Sequence, residues 1–512
     1  MKSMTNHFPR TRGLRTTIVV AGAVAAGVAL GALGGCSVGD GVLGRAIGWS
    51  DLAGLSADSS REVERFNVAL RRESDKDGVE RATAHFTDVF KRVRVGYVRE
   101  VGDAELVNAA LRGLDEEKGS SLRRDPGKLV EAALRAMLSS LDPHSAYLNA
   151  DEYRDSFVST RSEFGGIGIE VSAEDGLVKI IAPIEDTPAY RAGLKSGDLI
   201  THVDGEPVKG KGLMYAVNKM RGAAGSEIRL TLIRGGASFE ARLTRAVIKV
   251  RSVRWEIVDD VGYIRVVRFI EKVDDNLDQA VAEVRKQLGG KLRGIVLDLR
   301  NNPGGLLEQS VTMADSFLDS GKIVTVKGRR GAGRVYEAVS GDIARGIPMV
   351  VLINGGSASA AEIVAAALQQ NGRATVMGTL TFGKGSVQTV VPLPQEGAIR
   401  LTTSLYYAPS GEAIQSRGVE PDVEVIDTAA EAEKDKNKSA DSAADKRRRE
   451  ADLPGALPAV GSVLSRRHGS VPDSRCRPVG EKQDRQLGCA VELLQAGSAH
   501  KFLAAAGARP AM

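Results

Sequence analysis

Two residue types that do chemistry together stand close in the stretch Met349 to Pro392, MVVLINGGSASAAEIVAAALQQNGRATVMGTLTFGKGSVQTVVP: serines at 357 and 359 and a lysine at 384. The apolar run Met349 to Ile353 has strand length, the small residues from Gly355 to Ala360 make a turn, and Ala361 to Gln370 has helical period. Either serine therefore falls at a strand-to-helix turn, where unpaired N–H groups and the positive helix end favour negative charge on a reacting oxygen. Lys384 lies in Thr381-Phe382-Gly383-Lys384-Gly385-Ser386, a glycine-flanked loop between two apolar β-like runs. A serine hydroxyl attacks only once a base takes its proton, and a lysine is that base only while its amine is neutral, a state that burial favours. The chemistry implied is attack on a carbonyl. N–H donors for the oxyanion would come from the turn after Ser359 and from Gly304-Gly305 in the turn Arg300 to Leu306.

Other chemistries lack their residues. The cysteines, Cys36, Cys476 and Cys489, lie outside the apolar central part of the chain, which excludes thiol catalysis there. No histidine falls between His202 and His468, so a Ser-His-Asp mechanism or a histidine-rich metal site in this stretch would need a distant partner. No metal and no cofactor is expected. Gly378 to Gly385 nearly fits a phosphate loop, but Gly385 stands where a magnesium-binding hydroxyl is needed, and Val387 to Val391 continues as β-like chain instead of opening a helix. The alternative without chemistry is that the serines merely cap the helix and Lys384 is a surface cation.

The elements that must position these residues alternate. Val261 to Phe269 reads as a strand, Asp274 to Leu288 as an amphipathic helix and Gly294 to Leu299 as a strand; helix Leu307 to Leu318 and strand Ile323 to Val326 follow. Such alternation indicates an α/β layer whose sites gather at strand ends, so Gly304-Gly305 and Ser359 are expected on one edge. Upstream, Ala82 to Val101 and Ala104 to Leu114 have helical spacing, and Glu105 to Arg112 is nearly repeated by Lys128 to Arg135 across a polar loop, Asp115 to Gly127. His144, in Leu141-Asp142-Pro143-His144-Ser145, reads as a turn or packing residue.

Phe164-Gly165-Gly166-Ile167-Gly168-Ile169 is a glycine loop entering a strand, and its N–H groups are suited to an anion. Thr187-Pro188 opens a short helix that Gly193 ends, and Gly197 to Gly205 is a strand closed by an Asp-Gly turn, along which His202 reads as a surface residue. Together residues from about 162 to 248 resemble a PDZ domain, which implies capture of a peptide C-terminus at Gly165, Gly166, Ile167, Gly168 and Ile169 by strand addition.

Ser357 to Glu362, with Thr381 to Gln388 downstream, resembles the carboxyl-terminal processing peptidases, or tail-specific proteases. The likeness runs over roughly residues 80 to 427, through Pro409-Ser410-Gly411 and Gly418 to Asp422, and departs at Ala361, where a further serine is common, and at the insertion-like loop 115–127. It implies Ser359 as nucleophile, Lys384 as general base, Gln388 as the residue orienting that lysine, and the N–H groups of Ala360 and of Gly304 or Gly305 as oxyanion hole. It further implies protein substrates with apolar C-terminal tails. From physics alone Ser357 and Ser359 stay undecided. A non-catalytic PDZ adaptor is the alternative from another class; loss of Ser359 or Lys384 would mark it, and both are present.

At the N-terminus, Lys2, Arg10, Arg12 and Arg15 precede the uncharged run Thr16 to Leu33, an export signal or membrane anchor, and Leu33-Gly34-Gly35-Cys36 resembles a lipoprotein processing site. The bulk of the chain is expected on the periplasmic side of a bacterial membrane, tethered by its N-terminus. A net charge of +5, from 70 basic and 65 acidic residues, gives no field for nucleic acid, and homo-oligomerisation is left open. The expected fold class is mixed α/β and multidomain. Its parts are a signal or anchor at 1–36, a tether at 37–78, a helical region at 79–160, a PDZ-like module at 161–249, a peptidase core at 250–427, a flexible linker at 428–455 and a C-terminal extension at 456–512. In that extension an oxidising periplasm would allow Cys476 and Cys489 to form a disulfide, a pairing that the sequence leaves open.

Overall fold

The computed structural model describes residues 55–116, 125–158, 163–426 apart from 185, 212, 250, 251, 331 and 332, then 428, 449–461, and 469–510 apart from 481, 482 and 508. The export segment, Cys36, the first part of the tether, the centre of the polar loop and residues 429–448 lie outside the described residues. Among the described residues no helix is long and apolar enough to cross a membrane.

The N-terminal region consists of helices α1 (Ala57–Glu73), α2 (Val79–Gly96), α3 (Asp103–Glu116) and α4 (Pro126–Ser139), then strand β1 (Ala146–Leu148) and helix α5 (Ala150–Val158). Helix α1 corrects the reading of 37–78 as a tether. Ser56 caps it by accepting the Ser59 N–H at 3.1 Å, and Val63, Phe66 and Leu70 are buried along one face, with Phe66 stacked on Phe86 at 3.6 Å between ring centroids. The near-repeat forms α3 and α4, which approach so closely that a Cβ on Gly113 would lie 2.7 Å from the Ala132 carbonyl oxygen.

The next module holds β2 (Glu163–Gly166), β3 (Ile169–Glu174), β4 (Leu177–Pro183), α6 (Pro188–Arg191), β5 (Leu199–Val203), β6 (Glu206–Pro207), α7 (Leu213–Met220), β7 (Glu227–Arg234), β8 (Ala237–Thr244) and β9 (Ala246–Lys249). Its main sheet has the order β3-β4-β5-β7-β8, with β6 on β5, and β2 pairs with β9. The Asp-Gly turn forms with both residues at positive φ, 51° at Asp204 and 83° at Gly205, as a two-residue hairpin turn requires.

The core comprises β10 (Val253–Val258), β11 (Val261–Val266), α8 (Val273–Leu288), β12 (Gly294–Asp298), α9 (Leu307–Asp315), β13 (Lys322–Gly328), β14 (Arg334–Glu337), β15 (Met349–Ile353), α10 (Ala360–Gln370), β16 (Thr375–Gly378), β17 (Ser386–Pro392), β18 (Ala398–Tyr407) and β19 (Val423–Ile426). Then come β20 (Gly469–Pro472), α11 (Arg485–Ala496), α12 (Ala499–Ala505) and β21 (Arg509–Pro510). One eight-stranded sheet has the order β10-β11-β12-β15-β16-β19-β20-β21. Its pairs from β11 to β20 are parallel, and β12 and β15 are buried at every residue, which is why both read as unbroken apolar runs. The second sheet runs β1-β18-β13-β14 with β17 on β18, so β1 joins the helical region to the core.

The C-terminal segment is part of the eight-stranded sheet and not an appendage to it. Strand β20 pairs in parallel with β19, Gly469 opposite Val423, and Leu494 of α11 packs on Gly294, where a Cβ would meet it at 2.6 Å. Cys476 and Cys489, 13 residues apart, form a disulfide that ties α11 to the chain before it. Replacing both by serine is expected to lower stability by about 3 kcal/mol, the entropy of closing a loop of roughly this size. A urea midpoint that does not move would show the bridge to be dispensable.

Candidate active site

Strand β12 ends in the turn that carries Gly304-Gly305, and β15 ends in the turn that carries the two serines. Asn354 joins them: its Oδ1 accepts the N–H groups of Asn301 and Gly356, each at 2.9 Å, and its Nδ2 donates to Asn301 Oδ1 at 3.1 Å. Ala358 N–H donates to the Asn302 carbonyl at 2.9 Å. The shared edge expected of these turns is thus fixed by hydrogen bonds. Both glycines are obligatory. Gly304 has φ +96°, and a Cβ there would lie 2.9 Å from both Ala360 N and Ser359 Cβ; Gly305 has φ +146°, and its Cβ would fall 1.9 Å from the Phe269 carbonyl oxygen.

The two serines differ in what their hydroxyls do. Ser357 is fully buried, its Oγ donating to the Leu299 carbonyl at 2.8 Å and accepting the Asn354 N–H at 3.0 Å, so its hydroxyl is consumed in holding β12 and β15 in step. Ser359 precedes α10 with φ +54° and ψ −113°, a positive-φ conformation that is uncommon for a side-chain-bearing residue. It makes no capping bond through its side chain, and among the described residues its hydroxyl has no hydrogen-bond partner. Among the described residues the Ala360 N–H, first in the helix, is unpaired in the backbone network, whereas Gly304 N–H is engaged by Asn302 Oδ1 at 2.9 Å. Gly304 O accepts from Phe269 N at 3.0 Å, so across the trans peptide the Gly305 N–H points away from Phe269 and is also unpaired among the described residues.

Glu362, one turn into α10, does what sequence reasoning left unassigned. Wholly buried, it accepts from Ser359 N–H at 2.7 Å, Gly383 N–H at 2.7 Å, Lys384 N–H at 2.9 Å and the Thr381 hydroxyl. One carboxylate oxygen, Oε2, therefore holds the main chain of Ser359 and of Lys384 together. Burial pushes the carboxyl up to about 7, with the donors from Thr381, Ser359, Gly383 and Lys384 pulling it back. The signal that was available is the spacing Ser359-x-x-Glu362, that of a capping box.

Lys384 sits in the loop between β16 and β17. Burial pulls its amine below the usual lysine value and Arg400 adds to this, while Glu450, Asp142 and Glu362 oppose it. Among the described residues no hydrogen bond or ion pair reaches its side-chain nitrogen. Gln388, on β17, donates to Ser386 Oγ at 2.9 Å and Thr402 Oγ1 at 3.2 Å, and no bond joins it to Lys384 among those residues. Glu450, inside the stretch expected as a linker, is instead 1% exposed and bonded to this loop through its N–H, to the Phe382 carbonyl at 3.1 Å.

The glycine loop of the β-rich module leads into β3, which ends its sheet and whose outer edge pairs with no strand among the described residues. Gly168 has φ +80°, its carbonyl accepts from Thr187 Oγ1 at 3.1 Å, and Ala189 N–H donates to the Ile167 carbonyl at 2.9 Å, so the loop is braced from behind by α6. No group of acidic, histidine or cysteine residues among the described residues is arranged to hold a metal ion.

Residues 260–425 match Peptidase family S41, and residues 165–244 match the PDZ domain. The chain is 45% identical over 346 residues to the carboxy-terminal-processing protease of Bartonella bacilliformis, a match that covers 67% of this chain and 74% of that protein. With the carboxy-terminal processing protease CtpA of Bacillus subtilis it shares 38% identity over 307 residues, 59% of this chain and 65% of that one. Among solved structures, the photosystem II D1 C-terminal processing protease is 30% identical, with a TM-score of 0.44 over 67% of this chain and 92% of that one. The peptidase match takes in both turns, Glu362 and the Lys384 loop, and the chain belongs to the carboxy-terminal-processing proteases of peptidase family S41 and carries a PDZ domain.

Proposed function

We propose that this protein is a serine endopeptidase that cuts exported proteins near their C-terminal tails with a Ser359–Lys384 dyad. One observation carries the reading: the Ser359 hydroxyl is uncommitted at a positive-φ turn, while its N–H and that of Lys384 share one oxygen of Glu362. Ser359 Oγ attacks the peptide carbonyl as its proton passes to the neutral Lys384 amine. The C–N bond then breaks, the leaving amine takes that proton, and water hydrolyses the acyl-enzyme by the same base. The N–H groups of Ala360 and Gly305 stabilise the oxyanion, with Gly304 keeping the second turn close to the helix start. Gln388 acts through Ser386 and Thr402 on the start of β17, which follows the lysine loop.

The glycine loop Gly165 to Ile169, leading into β3 at the end of its sheet, supports capture of a peptide C-terminus as a strand added beside β3, and an apolar tail is the substrate feature that the family likeness suggests. The basic and apolar N-terminus supports a tether on the periplasmic side of a membrane, and the Cys476–Cys489 bridge fits an oxidising compartment. The test is to incubate the full-length protein with an unstructured reporter ending in an apolar tail and to identify products by mass spectrometry. Fragments cut near the tail are expected; binding of the reporter without any fragment would replace the peptidase by an adaptor.

A further inference from the structure

After residues 429–448 the chain returns to the Lys384 loop, which the returning segment and Gln415 hold from two sides. On one side the Glu450 N–H donates to the Phe382 carbonyl at 3.1 Å. On the other, Gln415, fully buried, takes the Gly385 N–H on its Oε1 at 2.9 Å and donates through Nε2 to Glu450 Oε1 at 2.9 Å. The Glu450 carboxylate is completed by His144 Nε2, 2.9 Å from Oε2 and 3.0 Å from Oε1. The segment is anchored further on, where the Leu457 carbonyl accepts from Ser416 Oγ at 2.7 Å and the Leu457 side chain is buried with the residues of the helical region. A simple pin would need no charge, since burying a carboxylate costs free energy that a neutral acceptor for Gln415 would avoid.

We propose that Glu450, which lies beyond the matched peptidase segment 260–425, is a positioning residue for Lys384, clamping the loop around the lysine together with Gln415 and supplying negative charge beside it. This rests on Lys384 being the general base. The charged groups facing that amine are Glu450 on the returning segment, Arg400 on β18, Asp142 in the turn before β1 and Glu362 on α10, with His144 against Glu450. A carboxylate near the amine favours the ammonium form, so removing its charge lowers the lysine pKa; because the neutral amine is the active form, the acid limb of the rate profile moves to lower pH.

The test uses the full-length protein and a fluorogenic peptide with an apolar C-terminus. Glu450→Gln keeps an acceptor for Gln415 and the main-chain N–H but loses the charge: its acid limb in kcat/KM is expected to move down by roughly 0.5–1 pH unit, with the plateau kcat within about 3-fold of the native value. Glu450→Ala is expected to show the same movement and a plateau kcat lower by about 10- to 100-fold at unchanged KM. An acid limb that stays in place in both variants, or a Glu450→Gln that loses as much kcat as Glu450→Ala with its Tm falling in step, would reduce Glu450 to a structural pin and overturn the proposal. Lys384→Ala, run alongside, separates the two readings: if it still cleaves, the dyad is wrong, whereas if it is dead and the Glu450 acid limbs do not move, only the positioning role fails.

Discussion

Lys384→Ala and Ser359→Ala are each expected to lower kcat on an apolar-tailed protein by about 10⁴-fold or more, since removing one member of a nucleophile–base pair costs nearly as much as removing both. The double variant should be no worse than either single one. The fold should survive, because neither side chain makes a hydrogen bond among the described residues that another residue depends on. Lys384→Met is expected to go further and raise Tm at neutral pH. The native lysine has a pKa depressed below 10.5 by burial, so the unfolded chain binds more protons; the stability that this group supplies is present above 10.5 and is lost as pH falls from there through the folded value. An apolar side chain escapes that penalty. For the same reason kcat/KM in the native protein should rise with pH through a lysine pKa below 10.5 and then level off. Full activity in either purified single variant would sink the dyad, and a pH profile that is flat below pH 9 would remove Lys384 as the titrating base.

Glu362→Ala is the second large effect. Its carboxylate receives donors from Ser359, Thr381, Gly383 and Lys384 in a site that water does not reach, and each buried donor left unmet costs about 1–3 kcal/mol. A loss of about 3–5 kcal/mol is expected, large enough to place the variant among severe single substitutions. Glu362→Gln is the sharper probe. Its volume is native, but one acceptor oxygen is replaced by an NH₂ group that must face two of the four donors. Retained folding with kcat lower by about 100-fold is expected, because the turn before α10 and the Lys384 loop then lose their common ligand and a misplacement near 1 Å has that order of cost. Native kcat in Glu362→Gln would mean that Ser359 and Lys384 are held together by something else.

What could be read in advance follows from how each residue is packed. The strand Met349–Ile353 was legible because it is buried at every position and reads as an unbroken apolar run, and the helix after it because its residues have helical period and length. Position in sequence left Ser357 and Ser359 equivalent; they differ only in three dimensions, where Leu299 and Asn354 use up the first hydroxyl and leave the second. Helix α1 was hidden because its buried Val63, Phe66 and Leu70 are scattered among charged residues. Strand β20 was hidden because four residues, Gly469 to Pro472, are too few to show a period, and its pairing with β19 is a tertiary choice. Glu362 and Glu450 share a different cause. A glutamate on a helix or in a charge-rich stretch reads as solvent-facing, and only the donors converging on it reveal that it points inward.

The parallel pairing of β20 with β19 bears on the order in which the protein can assemble. Glu450 meets His144 across 306 residues of sequence and Arg300 meets Asp484 across 184, so contacts that finish the site are among the most distant in the chain. A polypeptide synthesised only as far as Ile426 already contains Ser359, Lys384 and the whole matched family segment. It would nevertheless leave β19 as a bare sheet edge, Gln415 without Glu450 and the buried Arg300 without Asp484. Because such long-range closure comes late and slowly, the emerging chain carries both residues of the proposed dyad well before it can hold them in working order.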